Sequence, residues 1–141
     1  MRLVLVLLMC LAVVACTRQT DADAVRARIG EVAAAAESRE VGDVMDAISA
    51  DFVGNDGLDR AQLANLVRAQ VLGGGAVGVS LGTIEVEVHG DRATARFGAT
   101  LTDGSGRWIP DRRARFAFET GWRRENGDWA CYNASWSREE D

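Results

Sequence analysis

Two glycine-rich strings and one histidine are the first candidates for chemistry. Gly78-Val79-Ser80-Leu81-Gly82 spells the G-x-S-x-G of a nucleophile elbow. That elbow presents a serine on a sharp strand-to-helix turn and needs a histidine to take its proton. Gly73-x-Gly75-x-x-Gly78 spells the dinucleotide fingerprint, which must follow a strand and open a helix so that the helix N-terminus meets a pyrophosphate. Here the hydropathy pattern runs the other way, from helix into strand. The single histidine, His89, stands beside Gly90 where the pattern turns, and reads as an exposed corner residue. One His and one available Cys fall short of a zinc site, so neither metal nor cofactor is expected. Asn133-Ala134-Ser135 matches a glycosylation acceptor but lies inside a predicted strand, where the string is incidental.

The elements that must position any site are clearest between Arg113 and Trp136. Asn126-Gly127 separates two runs rich in aromatic residues. Asn-Gly supplies the positive φ angles of a type I′ turn, whose twist matches that of paired strands. A two-residue loop then opposes Arg124 to Trp129, Trp122 to Cys131, Thr120 to Asn133 and Phe118 to Ser135. Period-two alternation puts these pairs on one face, with Phe116, and marks it as the core face. Three polar residues there, Thr120, Asn133 and Ser135, need partners or a cavity. They either orient a ligand on an apolar floor or bond to helix termini and buried water. Arg124 opposite Trp129 predicts a cation–π pair.

Upstream, Val25, Ile29, Val32, Ala33 and Ala36 recur at the spacing of one helix face, predicting a helix from Ala22. Val41, Val44, Met45 and Ile48 predict a second, shorter helix, with Phe52 just beyond. Gly54-Asn55-Asp56-Gly57 predicts a turn. A third helix starts at Asp59, whose N-cap role is reinforced by Gln62 three residues on. Leu63, Leu66, Val67 and Val71 form its apolar stripe, and Gly73-Gly74-Gly75 ends it. From Val79 the period is two. Gly90-Asp91 turns the chain and sets Glu85 against Arg96 on the polar face. Thr102 to Asp111 reads as a long polar loop containing Trp108. Helices first and an antiparallel sheet afterwards predict an α+β domain with helices covering one sheet face.

Composition sets the class. Of 141 residues, 48% are hydrophobic, ordinary for a globular chain. All 16 basic residues are Arg, and the net charge is −5. An acidic chain with scattered arginines is a poor partner for phosphate backbones, so no nucleic acid is expected. Arg2 and the apolar run Leu3–Ala15 have the form of a secretory signal, too short to span a bilayer comfortably. Val13-Val14-Ala15-Cys16 resembles the lipobox of bacterial lipoproteins. The resemblance implies cleavage before Cys16, lipidation of Cys16 and anchoring by several acyl chains. Thr17, in place of Asp after the Cys, implies an outer-membrane anchor facing the periplasm; a plain signal peptide would instead leave a soluble periplasmic protein. Residues 1–15 are then the signal, 16–21 the lipidated Cys and a short tether, 22–137 the domain and 138–141 a charged tail. Cys10 leaves with the signal and Cys16 is acylated. Cys131 stays unpaired and reads as a small buried hydrophobe.

The order of elements, with Gly121-Trp122-Arg123-Arg124, Gly127-Asp128-Trp129 and Ala134-Ser135-Trp136 closing the chain, resembles the nuclear transport factor 2-like superfamily. This group includes ketosteroid-isomerase-like and polyketide-cyclase-like proteins. The resemblance implies a cone, a strongly bent, mainly antiparallel sheet around three helices, with a pocket at the open end and frequent homodimers through the sheet. For such a pocket the hairpin register offers Phe118, Thr120, Asn133 and Ser135, and the segments beside it offer Phe52 and Trp108, with Trp108 either a lid or a neighbour of Phe52. No catalytic acid–base set of the group matches residue by residue, so no catalytic residue is assigned. The leading expectation is a lipid-anchored accessory domain binding a small apolar ligand or an envelope protein. Two alternatives stand beside it: an isomerase, dehydratase or cyclase using Asp51 or Tyr132 as acid or base, and a structural envelope dimer.

Overall fold

The computed structural model describes residues 19–72, 77–103 and 113–140. Helix α1 spans Asp21–Glu37, α2 Val41–Asp46 and α3 Arg60–Leu72. Six strands follow or intervene: β1 Ile48–Val53, β2 Val77–Leu81, β3 Glu85–His89, β4 Arg92–Asp103, β5 Ala114–Glu125 and β6 Asp128–Glu139. They form one curved sheet in the order β1-β6-β5-β4-β2, with β3 also paired to β4. Every pairing is antiparallel except β1 with β6. This is the expected α+β class.

Local chemistry explains each helix start. Thr20 caps α1 by accepting from the Asp23 amide, and Asp21 and Asp23 sit in the first turn, where acidic groups suit the helix dipole. Before α3, Asp59 Oδ1 accepts from the Gln62 amide at 2.8 Å and Gln62 Oε1 accepts from the Asp59 amide at 2.9 Å. That is the reciprocal box read from the sequence. The last carbonyls around α2 are taken by arginines: Arg60 donates to Met45 and Ile48, and Arg28 to Asp46. Guanidinium groups satisfy orphan carbonyls and suit the negative helix end.

The short helix is where the chain departs from its periodicity. Val41–Ile48 reads as one helical stripe, yet α2 ends at Asp46 and Ile48 opens a strand. The cause is long-range: the Cys131 amide donates to the Ala47 carbonyl at 2.8 Å, drawing the chain alongside β6. Phe52 therefore lies on a strand, 2% exposed, in the core.

The core forms where the α1 stripe meets the sheet. Val25 and Ile29 pack on Ala93, Ala95, Trp122, Trp129 and Cys131. Burial of a side chain of this size contributes roughly 1.5–3 kcal/mol. Alanines on β4 let the helix approach closely. The Cys131 thiol is buried and donates to the Asn133 carbonyl; burial pushes its pKa up to about 12, so it is an inert packing group. The β5–β6 turn has Asn126 at φ 51° and Gly127 at φ 86°, as type I′ requires.

Candidate functional site

The hairpin register holds from Glu125↔Asp128 to Trp122↔Cys131, as the sequence implies. It then slips by one. Gly121 pairs with Asn133, Thr120 with Ala134, Glu119 with Ser135 and Phe118 with Trp136. Tyr132 is the extra residue of a β-bulge, and a one-residue slip exchanges the faces of everything beyond it. Asn133 and Ser135 therefore do not share a face with Phe118 and Thr120. Both are exposed on the outer face, away from the helices. A readable signal existed. The apolar alternation is odd-numbered at Trp129 and Cys131 but even-numbered at Ala134 and Trp136, so its phase changes across Tyr132.

Thr120 does face inward, but it is occupied. Its hydroxyl accepts from Trp122 Nε1 at 2.7 Å and donates to the Ala95 carbonyl at 3.3 Å. Thr120 thus serves the core rather than a ligand. Phe52 is buried, and its ring and that of Trp136 both crowd Gly54: a side chain added there would meet the Trp136 ring at 3.1 Å and the Phe52 ring at 3.2 Å. Trp108 lies outside the described residues. Of the five expected pocket residues that are described, only Phe118 is both inward-facing and half-open.

Around Phe118 the inner face becomes aromatic. Phe97 stacks on Phe118 with centroids 5.2 Å apart, Phe116 lies 6.3 Å from it and Trp136 6.4 Å. The row crosses β4, β5 and β6, and all four rings are half-buried. A regular ladder from the Asn126-Gly127 turn would put Trp136 on the other face; the bulge brings it to this one. Asn55 fixes the end of the row. Its amide donates to the Trp136 carbonyl at 2.7 Å and accepts from the Trp136 amide at 3.1 Å. A single side chain thus imitates a strand partner where β1 has ended.

The inner face divides into two zones. Toward the Asn126-Gly127 turn it is closed, with Trp122, Trp129 and Cys131 each under 5% exposed. Arg124 lies over Trp129, 4.9 Å from its centroid, and ion-pairs with Asp21. Away from the turn lie the half-open rings. Among the described inward-facing side chains of β3, β4 from Ala93 to Leu101, β5 and β6, there is no carboxylate and no imidazole. Carboxylates and imidazoles are the side chains that most often move a proton between carbon or oxygen atoms, and they do so from within hydrogen-bond reach.

The acid–base candidates are on the outer face. Asp51 pairs with Arg123, which also binds Glu125 at 3.0 Å; Glu125 accepts from the buried Ser49 hydroxyl at 2.6 Å. The Arg123 hydrogen bond holds the Asp51 carboxyl below its ordinary pKa, and Ser49 with Arg123 does the same for Glu125. The Tyr132 ring lies under two guanidiniums, Arg92 at 5.1 Å and Arg123 at 5.3 Å. A salt-bridged carboxylate with a lowered pKa is a poor proton carrier at neutral pH. An open groove of about 520 Å³ also runs over Gly98 and Ala117 on the outer face, and Phe97, Phe118 and Trp136 contribute to its lining from the same three strands. Ser135 lines it, and its Arg96 and Glu119 are paired with each other at 2.9 Å. Among the described residues no cluster of His, Cys, Asp and Glu could hold a metal.

Solved structures share this fold. A protein of unknown function from Pseudomonas putida KT2440, described as NTF2-like, superposes with TM-score 0.71 at 18% identity, covering 83% of this chain and 85% of that one. The fold is NTF2-like. A candidate dehydratase of the NTF2-like family from Streptomyces avermitilis superposes with TM-score 0.73 at 14% identity, over 86% of this chain and 97% of that one. A candidate scytalone dehydratase from Novosphingobium aromaticivorans gives 0.71 at 11%, over 83% of each chain. No protein-family model and no curated protein sequence matches the chain. At these identities the NTF2-like cone is shared, and the activity must be argued from the site.

Proposed function

We propose that this NTF2-like chain is a lipid-anchored binding domain facing the periplasm, and that it holds a small, mainly apolar ligand against the Phe97–Phe118–Trp136 row without transforming it. The observation that carries the reading is the pairing of a half-open aromatic surface with strands β3 to β6 whose described inward-facing side chains include no carboxylate and no imidazole; the one carboxylate paired to that face, Asp21, is held by Arg124 at the closed end. Ligand sites are mostly apolar with few polar groups, and exposed aromatic clusters mark binding surfaces. The dehydratase reading of the two similar structures would need an inward acid or base, whereas Asp51 and Tyr132 are committed to the outer face. A homodimer through the sheet would meet across a face of ion pairs, not the apolar one that a purely structural dimer calls for. No described helix is long and apolar enough to cross a membrane, and the anchor is assigned to Cys16 on the lipobox resemblance.

The anchor is tested in the native envelope. Palmitate labelling is expected to mark the chain, and Cys16→Ser is expected to move it out of the membrane fraction. An unlabelled wild type, or a variant that stays with the membrane, would remove the anchor.

A further inference from the structure

The ligand class can be taken further, and the inference rests on the binding reading above. Two arginines sit on the inner face of the β5–β6 hairpin, one at each end. At the turn end Arg124 is fully engaged, stacked on Trp129 and paired with Asp21. At the opposite end β6 continues through Glu139, so part of the expected charged tail is inside the sheet. The register there pairs Arg138 with Phe116, next to the Phe118–Trp136 pair. Cross-strand partners share a face, so Arg138 stands on the same face as the aromatic row. It is exposed, and among the described residues it has no hydrogen-bond or ion-pair partner.

An unpaired guanidinium beside an aromatic strip is a two-part recognition surface. The rings take an apolar body by contact area. The guanidinium fork takes a planar anion with two parallel hydrogen bonds, a geometry that suits a carboxylate. Within the strands the neighbouring positions on this face, Phe116, Phe118, Ala134 and Trp136, are all uncharged; the nearest acids in sequence are Glu139, which pairs with Arg115 on the opposite face, and Glu140, just past the end of the strand. We infer that the ligand is a monoanionic amphiphile, an apolar chain or ring bearing a carboxylate, with its carboxylate on Arg138 and its body along Phe116, Phe118 and Trp136.

The test compares dodecanoate with dodecanol, both below their aggregation limits, on the full-length chain by tryptophan fluorescence and calorimetry. Dodecanoate is expected to bind at least about tenfold more tightly than dodecanol, the scale of one charge-assisted hydrogen bond. Arg138→Gln is expected to erase that difference while leaving dodecanol binding unchanged, and Arg138→Lys to restore part of it. If both probes bind equally to wild type, or if Arg138→Gln leaves the preference intact, the anion inference falls while the apolar site stands. If neither probe binds wild type, or if both bind and Phe118→Asp weakens neither, the binding reading itself falls. Circular dichroism of each variant establishes that it is folded, and Arg138 is exposed enough for its replacement to leave the core intact.

Discussion

Ala134→Asp is expected to destabilise the protein by about 3 kcal/mol or more, while Asn133→Asp changes stability by no more than about 0.5 kcal/mol. Chemical denaturation of the two variants measures the contrast. It follows from the bulge at Tyr132. Ala134 is opposite Thr120, packed against the main core cluster, and a carboxylate there would be desolvated beside Trp122 with no cation to receive it. Asn133 is opposite Gly121 with its side chain across the outer face, where water reaches it. A methyl at Gly121 would lie 2.5 Å from the Asn133 Oδ1, so the glycine leaves room for the Asn133 side chain to lie across this strand. A regular ladder from the Asn126-Gly127 turn would reverse the two outcomes, because Asn133 would then face the core. With total stabilities of about 5–15 kcal/mol, a 3 kcal/mol loss is a large fraction.

Thr120→Val should cost about 1–3 kcal/mol, and Thr120→Ser much less. Val keeps the shape and β-branching of Thr, so packing is nearly unchanged. It removes the acceptor for Trp122 Nε1, which is buried with a ring 3% exposed. The loss is then that of a buried donor left unpaired rather than of one net hydrogen bond. Ser keeps the hydroxyl that bridges Trp122 to the Ala95 carbonyl. Thermal unfolding with matched denaturant curves separates the variants. Equal costs for Val and Ser would mean that the Thr120 methyl, not its hydroxyl, carries the role.

What could be read from the chain was what depends on neighbours in sequence. The Asp59–Gln62 box, the Asn126-Gly127 turn and the Glu85↔Arg96 pair all follow from residues a few positions apart or from one short turn. The parallel strand β1 was not legible, because its cause is a hydrogen bond between Ala47 and Cys131. Helical spacing at Val41, Val44, Met45 and Ile48 pointed past the true helix end for the same reason. The bulge was half-legible: no Gly or Pro marks Tyr132, yet the alternation shifts phase there. That miss propagated into the site. It put Asn133 and Ser135 on the ligand face and kept Trp136 off it. Phe118 was right because it precedes nothing but regular ladder on its own strand. Asn55, which clamps Trp136 across 81 positions, looked like one turn residue among four. Arg138 was assigned to a tail, since a charged C-terminus gives no hint that it pairs with Phe116.

The central claim is that the inner aromatic row, not the outer groove, receives the ligand. Amide and indole chemical shifts recorded during a dodecanoate titration test it most directly. The account predicts saturable shifts confined to Phe97, Phe116, Phe118, Trp136 and Arg138, with Arg96, Glu119 and Ser135 unmoved. Shifts centred on Arg96, Glu119 and Ser135 with a silent Trp136 indole would contradict it.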